Sequence, residues 1–227
     1  MTNLNINNIR KKLERLEDNI IIDLFERTYF KTNDIIYAPG GIKIPNFTGS
    51  FFDYMLYGTE VLHATAGRYD NPEEKPFFTN LPPTLIKRRK SPYYIQDTDI
   101  NFNFKIKKAY FEALQKICEK GDDGEYGSTA LCDIKCLQDI SKRVHLGAFV
   151  AESKIKSNIL EYSVLIKNRD REKIIKKLRN IEDEEEILKR IRAKGERYNI
   201  NPEFIVEFYR DKIIPMTIEV EVKYLFS

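Results

Sequence analysis

Tryptophan is absent from this sequence, and its excess of positive charge is only +3. A chain whose main partner is nucleic acid or an anionic membrane carries a strong basic bias. Neither feature supports such a partner, so none is expected. The run Lys87-Arg88-Arg89-Lys90 is read as an exposed loop or tail of an inter-helix linker, with nucleic-acid contact as the alternative. No window approaches the roughly 18 consecutive apolar residues of a membrane span, and none is expected. The N-terminus enters an amphipathic pattern with acidic residues almost at once, unlike a transit peptide. Cysteine occurs three times, with no signal peptide ahead of it. That odd set favours reduced thiols and a cytoplasmic location. Cys132 and Cys136 are four residues apart and His145 follows, but a fourth ligand and any CxxC spacing are lacking. No metal is expected, and the thiols are read as buried apolar groups. There is no internal repeat and no low-complexity segment.

What is present suits a helical protein. The chain has 227 residues, 42% of them hydrophobic and 32% charged, enough for one sizeable core and long amphipathic helices. Ile6, Ile9, Leu13, Leu16, Ile20 and Leu24 recur at three- and four-residue steps and predict a helix to about Phe30. Pro39-Gly40-Gly41 and Pro45 break it off, and Ser50 can cap a second helix to about Tyr69. Pro72, Pro76, Pro82, Pro83 and Pro92 mark a long irregular connection, and a third helix reads from about Phe104 to Lys120. After the Gly121–Gly124 turn, Ser128 is a candidate N-cap for a helix that runs to about Asn158, interrupted only by Gly147. Helices follow near Tyr162–Lys167, Arg169–Leu178 and Asp183–Arg197, and Pro202 starts the last. Ile218–Val222 alternates with period two, which favours a strand, but no partner strand exists. The expectation is a helix kinked near Pro215, and an all-α fold with one large helical domain over 1–227.

Within that scheme Arg143 and Lys154 fall eleven residues apart on one helix, close to three turns, so both point the same way. Gly147, Ala148, Ala151 and Ser153 between them let another helix or a ligand approach. Read alone, the stretch is a solvated basic helix face. Two further pairs share a face at i,i+4: Asn180 with Glu184, and Thr217 with Glu221. Arg10 lies beside the apolar stripe of the first helix. Each has a plainer reading. Glu184 complements a helix dipole, Glu221 is an exposed polar residue, and Arg10 pairs with Glu14.

Several blocks, taken in order, resemble the large all-helical chorismate mutases of fungi and plants over nearly the whole length. They are Asn8-Ile9-Arg10, Leu16-Glu17-Asp18, Phe25-Glu26-Arg27, Ile44-Pro45-Asn46-Phe47, Gly49-Ser50-Phe51 and Pro76-Phe77-Phe78. Gly127-Ser128, Asp133-Ile134, Cys136-Leu137-Gln138 and Arg143–Lys154 follow, and Ile214-Pro215-Met216-Thr217, Glu219–Val222 and Tyr224-Leu225 close the set. The resemblance implies conversion of chorismate to prephenate on the route to phenylalanine and tyrosine, without cofactor or covalent intermediate. It implies that Arg10 and Arg143 hold the substrate carboxylates, and that Lys154 and a protonated Glu221 flank the ether oxygen. Glu184 would accept the ring hydroxyl, with Asn180 and Thr217 as supporting contacts. Such mutases are homodimers with tyrosine and tryptophan as effectors. Here Gly67 stands in place of the first of a pair of effector arginines, leaving Arg68 with Gly127 and Ser128 as a degenerate effector site. Gly124, Glu125 and Leu131 replace polar contacts, so control by these effectors is expected to be weak or absent. The competing readings are a non-enzymatic helical interaction module derived from a mutase, and a basic helical nucleic-acid binder.

Overall fold

A computed structural model describes residues 5–86, 95, 96 and 98–227. The basic run at Lys87–Lys90, with Pro92, lies outside the described residues. Ten α-helices appear among those described: α1 (Ile6–Arg27), α2 (Phe51–Thr65), α3 (Asn103–Ile117), α4 (Tyr126–His145), α5 (Gly147–Ser157), α6 (Ile159–Lys167), α7 (Arg171–Leu178), α8 (Ile181–Arg197), α9 (Pro202–Phe208) and α10 (Ile214–Leu225). Their only β feature is an isolated bridge between Ile44 and Phe47. The fold is all-α.

The apolar stripe of α1 is its packing face: Ile9, Leu16, Ile20, Ile21 and Leu24 are buried, and the helix packs along α4. The Asn5 side chain accepts from Asn7 N–H, meeting one orphan donor of the first turn. Ser50 caps α2 as expected, its oxygen accepting from Asp53 N–H. α2 stops at Thr65, short of Tyr69, because Gly67 takes a left-handed backbone (φ +72°) that ends the helix. Ser128 is not a cap. α4 starts two residues earlier, at Tyr126, and the Ser128 hydroxyl turns back toward Glu125 within the first turn.

A buried polar knot ties the first helix to the centre. Arg27 is fully buried, donates to Asp133 of α4 at 2.8 Å, and spends its other donors on the carbonyls of Phe30, Lys31 and Thr32 and on the Tyr37 hydroxyl. Tyr110 also donates to Asp133, at 2.8 Å. Every strong donor here has an acceptor, which is what makes burying this ion pair tolerable.

The long helix expected over Ser128–Asn158 is two. It breaks at Leu146, and Gly147 opens α5. A Cβ on Gly147 would stand 2.6 Å from the Thr217 carbonyl oxygen, so glycine is what allows α10 to lie against α5. Ile218–Val222 is helical, inside α10. A five-residue π-helical turn, Tyr209–Ile213, joins α9 to α10, and Pro215 falls in the first turn of α10, where its missing N–H costs little. α10 is central, with Ile214, Met216, Val220, Val222, Tyr224 and Leu225 all buried.

Candidate active site

α1, α4, α5, α8 and α10 contribute to a cavity of about 570 Å³. Arg10, Arg143, Lys154, Asn180, Glu184, Thr217 and Glu221 all line it. The seven residues singled out in the sequence therefore converge, although they span 212 positions from Arg10 to Glu221.

Arg143 leaves the last turn of α4 and is 3% exposed. Its Nη1 donates to Thr217 Oγ1 at a long 3.4 Å, and its buried Nε has no acceptor among the described residues. The Thr217 hydroxyl in turn donates to the Ile213 carbonyl at 2.8 Å, so its oxygen faces the guanidinium as an acceptor. A buried cation with an unused donor is costly unless a ligand supplies an acceptor.

Lys154, on α5, donates to Glu221 Oε2 at 2.9 Å and to the Leu178 carbonyl at 2.7 Å. An ammonium has three donors, so one remains for the cavity. Glu221 is 5% exposed, and burial raises its pKa above the usual glutamate value. Lys154 and Arg143 pull it back down, and Glu184 adds a small push upward. Burial, rather than the neighbouring carboxylate, is the main cause. An anionic ligand entering this cavity would favour the protonated form further.

The other side of the cavity is more open. Arg10 pairs with Asp183 at 2.9 Å, their side chains 55% and 43% exposed. Its expected partner Glu14 instead lies 3.9 Å from Arg190. Asn180 is not inside a helix with Glu184. It is the N-cap of α8, its Oδ1 accepting from the N–H groups of Glu182 and Asp183. The capping bond commits the oxygen and leaves the amide NH₂ as the group available to a ligand. Glu184 follows in the first turn and is held by Arg179 through two hydrogen bonds, at 2.9 and 2.6 Å. Asp183 and Arg179 went unnoticed in the sequence, where they look like part of an ordinary charged helix start. Glu17 and Arg190 also line the cavity: Glu17 is fully buried and takes two hydrogen bonds from Arg190, at 2.8 and 2.9 Å.

Within one chain the candidate effector residues lie apart. Arg68 donates to Glu74 and to Gln138 of α4, whereas Gly127 and Ser128 lie in the first turn of that helix. Ten residues of helix put Gln138 about 15 Å from Ser128. Gly67 is also crowded: a Cβ there would lie 3.0 Å from both Asp70 Oδ2 and Thr84 Oγ1.

His145 is committed to structure. Its Nδ1–H donates to the Ser141 carbonyl, its Nε2 accepts from Phe102 N–H, and burial pushes its pKa down to about 4. Cys136 is fully buried and its thiol pKa is raised by that burial. Among the described residues no group of three or more His, Cys, Asp or Glu could hold a metal ion, and no helix is long and apolar enough to cross a membrane.

Fold and site together define a class: an all-helical protein whose cavity sets buried and half-buried cations beside several carboxylates, one of them with a raised pKa. The comparisons narrow that class. Residues 126–222 match the family model described as chorismate mutase type II. The chorismate mutase of Saccharomyces cerevisiae is 41% identical over 246 aligned positions, covering 99% of this chain and 95% of that protein. The crystal structure of a Candida albicans chorismate mutase in complex with L-Trp superposes with a TM-score of 0.94 at 38% identity, covering 98% of this chain and 91% of that one. The structure of AtCM1 with tyrosine bound in its allosteric site superposes with a TM-score of 0.91 at 39% identity, covering 97% and 94%. The chain belongs to the chorismate mutase family, and it is an enzyme of the isomerase class.

Proposed function

We propose that this cavity rearranges chorismate to prephenate, with roles divided among the seven lining residues. The observation that carries the reading is their convergence from five helices on one cavity of about 570 Å³. The reaction breaks one C–O bond as it forms one C–C bond within a single molecule, so the protein need supply no nucleophile and no proton balance. It must hold a flexible dianion compactly and stabilise the charge that builds on the ether oxygen. Arg143, buried with a free Nε donor, takes one carboxylate, and Arg10 takes the other at the open side. The free donor of Lys154 meets the ether oxygen as the bond lengthens. Protonated Glu221 donates to the same oxygen from the other side. Glu184 accepts the ring hydroxyl, Asn180 donates through its NH₂, and Thr217 fixes the Arg143 fork.

A purified preparation should consume chorismate, followed by loss of its absorbance, and Arg143→Ala should abolish nearly all of that rate. An active protein indifferent to Arg143→Ala would sink the assignment.

We also propose a homodimer in the cytoplasm with weak response to aromatic amino acids. Leu62, Leu85 and Ile86 are 70%, 81% and 58% exposed and cluster near Gly67, an apolar patch suited to a second copy. The left-handed backbone at Gly67 would be strained by any other side chain, and Arg68 is already engaged by Glu74 and Gln138. A strong shift of substrate saturation at micromolar tyrosine would contradict the weak-response reading.

A further inference from the structure

Arg179 caps the C-terminus of α7 and immediately precedes Asn180. Its Nε and Nη2 grip both oxygens of Glu184, at 2.9 and 2.6 Å. Glu184 lines the cavity and Arg179 does not. The arginine side chain is 49% exposed and the glutamate 18%, so the grip is made on the more open side of a glutamate that lines the cavity. A glutamate in the first turn of a helix has three rotatable bonds, and aiming it at a ligand has an entropic cost that binding would otherwise bear. A two-point guanidinium fork fixes both the plane and the direction of the carboxylate, which an ammonium cannot do. After the fork is made, each oxygen still has lone-pair capacity for a second donor.

We infer that Arg179 is a positioning residue of the active site: from outside the cavity it sets the Glu184 carboxylate in the orientation that receives the ring hydroxyl of the substrate. The inference rests on the proposed role of Glu184. It assigns a function to a residue that never touches substrate and that belongs, by sequence, to a basic helix end.

The experiment is a double-mutant cycle. kcat and KM are measured for wild type, Arg179→Ala, Arg179→Lys, Glu184→Gln and Arg179→Ala/Glu184→Gln, with chorismate and with an analogue lacking the ring hydroxyl. Arg179→Ala should raise KM for chorismate about fivefold and leave kcat within about twofold, the scale of a partly exposed bidentate pair. Arg179→Lys should recover only part of the loss. In the Glu184→Gln background Arg179→Ala should add nothing, and it should not alter turnover of the analogue. Because Arg179 is half-exposed, its melting temperature should stay within a few degrees of wild type. The same KM rise with Glu184→Gln already in place, or with the analogue, would overturn the inference, as would a fall in KM. If Glu184→Gln is impaired and Arg179→Ala is not, the positioning role alone is lost. If Glu184→Gln leaves chorismate kinetics unchanged, the hydroxyl role of Glu184 fails and the inference falls with it.

Discussion

Arg143 and Arg10 carry the same guanidinium into the same cavity, but Arg143 is 3% exposed whereas 55% of the Arg10 side chain is open to solvent. Arg143 sits on a wall made by α4, α5 and α10, where Gly147, Thr217 and Glu221 are locked by packing. Its Nε is unpaired among the described residues. Arg10 sits at a mouth framed by the first turn of α8, already paired with Asp183, as Glu184 is with Arg179. The wall holds its charges by burial and keeps donors unused, so a ligand gains contacts there at high local field strength. The mouth holds its charges by pairing them with each other, and the Arg10–Asp183 pair, exposed on both sides, is weak and easily exchanged. Binding energy should therefore come from the wall, and orientation and access from the mouth.

The largest test of this contrast is Arg143→Ala. Loss of a buried, preorganised charge contact is worth about 4 kcal/mol, or roughly a thousandfold in kcat/KM. Arg10→Ala should cost about a tenth of that fold loss, roughly a hundredfold, and should weaken the rise of KM that added salt causes in the wild type. Equal losses at both sites would erase the distinction.

Next comes Glu221. Its pKa is raised by burial, so the protonated, hydrogen-bond-donating form is populated on the acidic side and lost as pH rises through the folded-state value. Wild-type kcat/KM should thus fall from mildly acidic toward alkaline pH, and Glu221→Gln, which keeps a donor without a titrating proton, should flatten the fall by about tenfold at its alkaline end. A wild-type profile independent of pH between about 5 and 9 would remove this role from Glu221.

Gly147→Ala tests the packing of the wall without touching charge. The added Cβ meets the backbone oxygen of Thr217 at 2.6 Å, so α10 must shift and carry Thr217 and Glu221 with it. A loss of about 2 kcal/mol in stability by thermal melting, with roughly a tenfold fall in kcat/KM, is expected. The smallest effect belongs to Asp183→Asn. Releasing Arg10 from an exposed pair should lower KM by about twofold with kcat unchanged. A rise in KM would mean that Asp183 orients Arg10 rather than competing for it, and the mouth would then resemble the wall.

Much of the architecture was readable from residue order. The stripe Ile9, Leu16, Ile20 and Leu24 is a one-sided periodicity, and α1 buries that side. α10 was harder because it is buried nearly all round, so no stripe survives and the accidental alternation Ile218–Val222 imitates a strand. Gly147 marked an interruption in the long helical pattern, but with no proline or turn motif beside it the sequence did not show that the helix would break there, at Leu146. It is the approach of α10 to Gly147 that gives it a function. In the site, helical spacing draws attention to Arg10, Arg143, Lys154, Asn180, Glu184, Thr217 and Glu221, but only the family resemblance joins them into one site, since polar residues scattered over five helices have no common local signal. Asp183 and Arg179 were missed because their importance lies in which neighbour they pair with, and an acidic helix start next to a basic helix end carries no such information.

The sequence alone determined that the chain is helical, where most helices lie, and which residue types were available to bind a polyanion, because propensity, capping and apolar spacing are local properties. Only the tertiary structure decided that Arg143 would be buried with a free donor while Arg10 would be exposed and paired. Solvation of a charge depends on what the rest of the chain packs around it, and that surrounding comes from residues far away in the sequence.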